Sequence, residues 1–189
     1  KDTARSMHCW SVDDEDLANK RAALRRILVK AIAQSHGTKH YFQGLNDVAS
    51  VLYFALGEVQ AVRALDWLMH HTLALWFEPS LPPLVAIMSC IPHLLRLAAP
   101  SAYAVLCACD SGPRPDFALS WVTTWFAHNT RDIAALYQLF DVLFDTPSGD
   151  ATAVVYLAAE VIKQCLARVP ESEHPTDFCE AVQFFGALP

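Results

Sequence analysis

The sequence predicts an all-α fold, a single-domain array of roughly eight or nine helices over residues 1–189. Three observations carry that prediction. Apolar residues recur at three- and four-residue intervals in nearly every segment, glycine and proline stand where those patterns stop, and no apolar/polar alternation of useful length marks a strand. With 189 residues, 53% of them hydrophobic and 18% charged, the chain is long enough for one substantial core, and two domains would be cramped.

In order along the chain, Asp13 or Asp14 caps a first helix running to about Ser35, with Leu24, Ile27, Leu28 and Ala31 inward. Lys20, Arg21, Arg25, Arg26 and Lys30 fall outward as a solvated basic face. A buried helix is expected from about His40 to Leu56, ended by Gly57, and another from Glu58 to Phe77 with Val62, Leu65, Met69, Leu73 and Trp76 in register. "EPSLPP" and "DSGPRPD" are the clearest breaks, and both are too short for domain linkers. Between them lie an apolar helix interrupted at Pro92 and a short helix near Ala102 to Cys109. "FALSWVTTWFAHN" follows Pro115. Then comes "RDIAALYQLFDVLF", with Ile133, Leu136, Tyr137, Phe140, Leu143 and Phe144 at helical intervals. "TPSGD" turns the chain into "ATAVVYLAAEVIKQCLARV", Pro170 stops it, and a last short helix spans about Thr176 to Gly186.

Several function classes are disfavoured at this level. A net charge of -6, with no basic cluster longer than "LRRILVK", denies nucleic acid its electrostatic attraction. The longest charge-free run, Pro79 to Leu95, carries Pro79, Pro82, Pro83 and Pro92 and is short for a membrane span. No basic-then-apolar leader opens the chain, and the start at "KDTARS" rather than methionine leads to the expectation of a piece of a longer protein. The six cysteines form no CxxC pair and lack histidines at zinc spacing, which reads as buried, reduced thiols of a cytosolic protein. His70 and His71 are adjacent, point a quarter-turn apart on a helix and cannot easily share a metal. GxSxG, Walker A, GxGxxG and HExxH signatures are all absent.

The segment "HYFQGLNDVAS" stands out. At helical spacing Tyr41, Phe42, Leu45, Val48, Ala49 and Leu52 share one face, and Gln43, Asn46, Asp47 and Ser50 the other. A solvated face usually carries long charged side chains; two amides and a carboxylate suggest recognition, or else a polar patch that satisfies backbone groups at a helix start. Gly44 costs helix stability and is better explained by the close approach of another backbone. Asp2 and Arg5, three apart, form either an ordinary solvated pair or an aspartate that orients an arginine. Trp121 and Trp125 read as core, with an interface anchor as the alternative.

Jointly these segments resemble the TBC domain, the catalytic module of GTPase-activating proteins for Rab GTPases. "KDTARS" is similar to the end of that family's I-x-x-D-x-x-R motif, "YFQGLN" to its Y-x-Q-G-x-N motif, and "SWVTTWFAH" to its Ser-Trp-rich third motif. "LYQLFDVLF", with Asp141, resembles a later R-x-x-D-x-x-L helix, although Gln138 or Leu139 stands where an arginine is common. "FALSWVTTWFAHN", Asp47 and "VVYLAAEVI" are most similar to the endoplasmic-reticulum branch, whose members act on early-secretory Rabs and end in a membrane anchor. The chain departs from the family in starting almost on its first motif, so the resemblance implies a domain truncated at the N-terminus and an Arg5 prone to fraying.

The resemblance implies a catalytic activator rather than a self-contained enzyme. Arg5 and Gln43 would be the catalytic pair, an arginine finger and a glutamine finger supplied in trans. Asp2 would orient Arg5, while Tyr41, Gly44, Asn46 and Asp47 would support the fingers or touch the GTPase. Trp121, Phe126 and Asp141 would be structural motif residues. The implied partner is a Rab family small GTPase, with vesicle traffic as the process. No metal or cofactor is expected on this chain, because GTP and magnesium belong to the partner. Nucleic acid is not expected as a partner, and membrane association would come only through segments outside this chain. The implied location is the cytoplasm, at the cytosolic face of the endoplasmic reticulum or another endomembrane. The competing expectation is a catalytically inactive TBC-like module that binds a small GTPase or membrane protein as a scaffold; a helical-repeat scaffold lacks the fixed period it would need.

Overall fold

The computed structural model describes residues 13–77, 82–109, 113–145 and 152–186. Asp2, Arg5, Cys9 and the "TPSGD" turn therefore lie outside the described residues. Among the described residues, eight α-helices and three short 3-10 turns make up the regular structure and there is no strand. The predicted all-α class is the observed one.

Helix α1, Asp14–Gln34, starts where a side chain can replace missing intrahelical partners: Asp13 accepts from the Asp16 amide at 2.7 Å, and three acidic residues in the first turn favour the positive end of the helix. Its inward stripe is the expected one, with Leu24, Ile27 and Ala31 fully buried. The basic face is only partly a solvated one. Lys20 reaches Asp16 at 2.6 Å, and Arg26 makes a two-pronged contact with Glu58 (2.9 and 2.7 Å), because the next helix runs alongside and presents a carboxylate.

That next helix, α2 (Leu45–His70), packs chiefly against α1. The expected start at His40 is corrected to Leu45, since Gly44 takes φ 103°, a left-handed angle that no helix continues through. Gly57, at φ 72° and ψ 170°, breaks the helix as expected, but both halves stay joined as one kinked element. The second half stops at His70 rather than Phe77. His71 leaves helical angles there, the His70 and His71 rings bond to the Asp66 and Trp67 carbonyls, and Ala74–Phe77 forms a separate 3-10 turn. By length and composition α2 could span a bilayer; its burial against α1, with Leu45, Val48, Ala49, Leu65 and Leu68 fully enclosed, is that of a core helix.

Helix α3 (Pro82–Ala98) runs through Pro92 instead of being interrupted by it, because Met88, Ile91 and Leu95 form one buried stripe across the site of the missing amide. After α4 (Pro100–Ala108) and a 3-10 turn at Asp116–Ala118, α5 is only six residues long, Leu119–Thr124. It packs on α2 and on α7 (Thr152–Ala167), which also lies along α3; α6 (Ile133–Asp145) covers another side of α2. Helix α8, Phe178–Gly186, closes on the 3-10 turn before α5. The expectation of buried thiols is also corrected: Cys90, Cys107 and Cys179 are exposed, Cys165 is half-buried, and Cys109 is the buried one among the described cysteines. All five are free, and no cluster suited to a metal ion occurs among the described residues.

Candidate functional site

Between α1 and α2 the chain must reverse, and the segment 35–44 does so with side-chain help. Ser35 Oγ donates to the Ile32 carbonyl at 2.7 Å and accepts from the Lys39 amide at 3.2 Å. Phe42 then packs edge-on against Phe77 with ring centroids 5.3 Å apart, His40 meets the same ring at 5.8 Å, and the Lys39 ammonium lies 5.1 Å from its centroid. One buried ring thus anchors the approach.

Phe42 to Leu45 is a tight turn, closed by the Leu45 amide on the Phe42 carbonyl at 3.2 Å. Gly44, with φ 103° and ψ -15°, holds the left-handed position that the third residue of such a turn requires. Gln43 stands at the exposed corner just before it. The amide is therefore not on a helix face, as the periodicity suggested, but at the tip of a turn that leads into α2. A second constraint on Gly44 comes from across the core. A Cβ at this position would lie 2.6 Å from Thr124 Cγ2, so the backbone sits directly against a side chain of α5.

Beyond Gly44 the polar side chains point inward and form a network. Asn46 is buried; its Oδ1 accepts from Tyr41 Oη at 2.8 Å and its Nδ2 donates to Asp47 Oδ1 at 3.0 Å, which fixes the orientation of the amide. The other oxygen of Asp47 lies 3.0 Å from His128 Nδ1. A carboxylate only accepts, so Nδ1 carries the proton that bridges them. Ser50 Oγ donates to the Asn46 carbonyl at 2.7 Å, one turn along the helix. Tyr41 and Asn46 thus brace the two sides of Gln43, which itself faces solvent.

The segment after α5 supplies the rest. Trp125 ends the helix at φ 50° and Phe126 follows at φ 63°, two bulky residues in a region that glycine ordinarily occupies. Trp121 and Trp125 are wholly enclosed. Trp121 meets Phe117, Phe126 and Phe185 with centroids 5.6, 5.5 and 6.3 Å away, and Trp125 meets Phe140 at 5.4 Å. Asp141, by contrast, is exposed on α6.

Of the residues singled out by sequence, the fold brings Tyr41, Gln43, Gly44, Asn46 and Asp47 together, places Trp121 and Phe126 in the supporting core, and leaves Asp141 apart. Sequence reasoning missed Phe77, Thr124 and His128 as neighbours of this turn. Thr124 and His128 lie in the segment that resembles the third motif, but contacts that span 81 positions, as between Asp47 and His128, leave no local trace.

Residues 1–168 match the family model described as the Rab-GTPase-TBC domain. The chain is similar to the GTPase-activating protein gyp10 of Schizosaccharomyces pombe, 29% identical over 161 residues that cover 85% of this chain and 42% of that protein. It is also similar to TBC1 domain family member 20 of Bos taurus and of Homo sapiens, each 25% identical over 114 residues, covering 60% of this chain and 28% of the relative. The chain spans less than half the length of these relatives.

Proposed function

This chain belongs to the Rab-GTPase-TBC domain family, and from that premise we propose that it accelerates GTP hydrolysis by a Rab GTPase, with Gln43 and Arg5 as its two catalytic fingers. The observation that carries the reading is the placement of Gln43, a solvent-facing carboxamide at the tip of a turn pinned on both flanks.

The chemistry asks for two groups. As the bond to the γ-phosphoryl breaks, charge collects on phosphoryl oxygens, and a guanidinium brought in from outside stabilises it by about 10³ to 10⁵ in rate. Arg5 is the candidate for that role and Asp2 for its orientation. Lysine would serve poorly, having no planar fork to bridge two oxygens. The attacking water must also lie in line with the leaving group. A carboxamide donates and accepts from one rigid plane without adding charge, and a fixed turn lowers the entropy lost in placing it. Gln43 would then substitute for the GTPase's own water-positioning residue. GTP and magnesium would belong to the partner, and this chain would add only the two fingers to that site.

The similarity to the endoplasmic-reticulum branch favours an early-secretory Rab as substrate and the cytosolic face of that membrane as location, with any anchor outside this chain. Single-turnover GTP hydrolysis across a panel of purified Rabs tests the reading. Acceleration on one or a few Rabs, lost with Arg5→Ala and with Gln43→Ala while both variants stay folded, is the expected result. A folded wild-type chain that binds a Rab without accelerating hydrolysis would instead make it a scaffold.

A further inference from the structure

We propose that His128 and Thr124, in and after α5, are positioning residues for the Gln43 turn, so that the third motif of the chain sets the aim of the finger in the second. The proposal rests on the glutamine-finger reading above.

Two contacts from one short segment converge on Gly44, beside Gln43, and on Asp47, one helical turn beyond it. Thr124 Cγ2 occupies the space beside Gly44 where a side chain would otherwise stand, which fixes how far the turn can sink toward α5. The same threonine donates its hydroxyl proton to the Ser120 carbonyl at 2.6 Å and accepts from the His128 amide at 3.2 Å. Thr124 is buried, so its geometry is set by the core, and it passes that geometry to the His128 backbone. His128 Nδ1 then donates to Asp47, which holds Asn46, which holds Tyr41. The relay reaches both ends of the Gln43 turn.

Backbone strain points the same way. Consecutive left-handed angles at Trp125 and Phe126 persist only where packing over-determines them, and such strain collects at functional sites. Here it turns the chain back so that position 128 faces Asp47. Stability does not account for the contact, since the His128 side chain is 61% exposed and a polar contact so open to solvent contributes little. Its value is in placement, where a displacement of about 1 Å can cost a hundredfold in rate.

A first test needs no GTPase. Amide hydrogen exchange across residues 40–48 should quicken in His128→Ala and return to the wild-type rate in His128→Asn, whose Nδ2 can take the place of Nδ1. Unchanged exchange in the alanine variant overturns the proposal. In single-turnover assays on an accelerated Rab, His128→Ala should lower the maximal rate about tenfold to a hundredfold with half-saturation nearly constant, and His128→Asn should restore most of it. Added to Gln43→Ala, the His128→Ala change should do nothing further. If Gln43→Ala abolishes acceleration and His128→Ala leaves it intact, the positioning role fails while the finger stands. If Gln43→Ala is itself silent, the finger reading falls and takes with it the role proposed here.

Discussion

Two left-handed turns meet at this site, and they are built from opposite materials. The turn before α2 uses glycine at φ 103° and leaves its neighbour Gln43 in solvent; the turn after α5 uses Trp125 and Phe126, at φ 50° and 63°, with both rings buried. Glycine adopts such angles almost freely, whereas other L-residues pay roughly 1–2 kcal/mol each. The aromatic turn can be kept because its rings are worth more in the core than the strain costs. The first turn frees a side chain for chemistry; the second holds the frame that aims it. Substitutions should divide accordingly.

The largest effect is expected in the frame. Trp121→Ala should cost about 3–5 kcal/mol, since it empties a fully enclosed site between Phe117, Phe126 and Phe185; urea denaturation would read it as a fall in midpoint. Gln43→Ala should behave in the opposite way, lowering the rate of assisted GTP hydrolysis by about 10² to 10³ while stability stays within about 0.5 kcal/mol of wild type. A Gln43 variant that melts like the tryptophan variant would erase the division between the two turns.

That division was half legible in the sequence. Helical periodicity gave the class, the inward stripe of α1 and the break at Gly57, because those depend on neighbours three or four apart. Gly44 was read as a place where another backbone comes close; what comes close is a side chain, the methyl of Thr124. What periodicity could not tell is where α2 begins. Tyr41 and Phe42 continue an apolar pattern, yet they pack on Phe77 and on Asn46 from a turn, a tertiary choice that overrides local preference. The same limit hid Pro92, carried through α3 by packing, and His128, which reaches Asp47 only because Trp125 and Phe126 leave the helix.

The coupling between the turns can be broken at its tightest point. Gly44→Ala adds a Cβ at a strained angle and 2.6 Å from Thr124 Cγ2, so it should destabilise the fold by about 1–3 kcal/mol and slow assisted hydrolysis as the turn shifts. Thr124→Ser removes that methyl while keeping the hydroxyl. The double variant should recover part of the loss in thermal melts, and additivity of the two changes would mean that the turns are independent.

The smallest effect is expected far from either turn and serves as the reference for both. Arg26 donates two hydrogen bonds to Glu58 and holds that carboxylate at about 2, below its ordinary 4.5, with Lys30 adding to the attraction. A depressed folded-state pKa means that the unfolded chain binds the proton more readily. The contribution is therefore complete above about pH 4.5 and is lost as pH falls toward 2. The pair is open to solvent, which screens it and keeps the gain small. Glu58→Gln should thus lower the denaturation midpoint slightly at pH 7, by an amount that shrinks in high salt and vanishes toward pH 2, with no change in assisted hydrolysis. A deficit that grew on acidification would contradict the depressed Glu58 pKa, and one that reached the catalytic rate would mean that the α1–α2 contact communicates with the Gln43 turn, giving the site three supports instead of two.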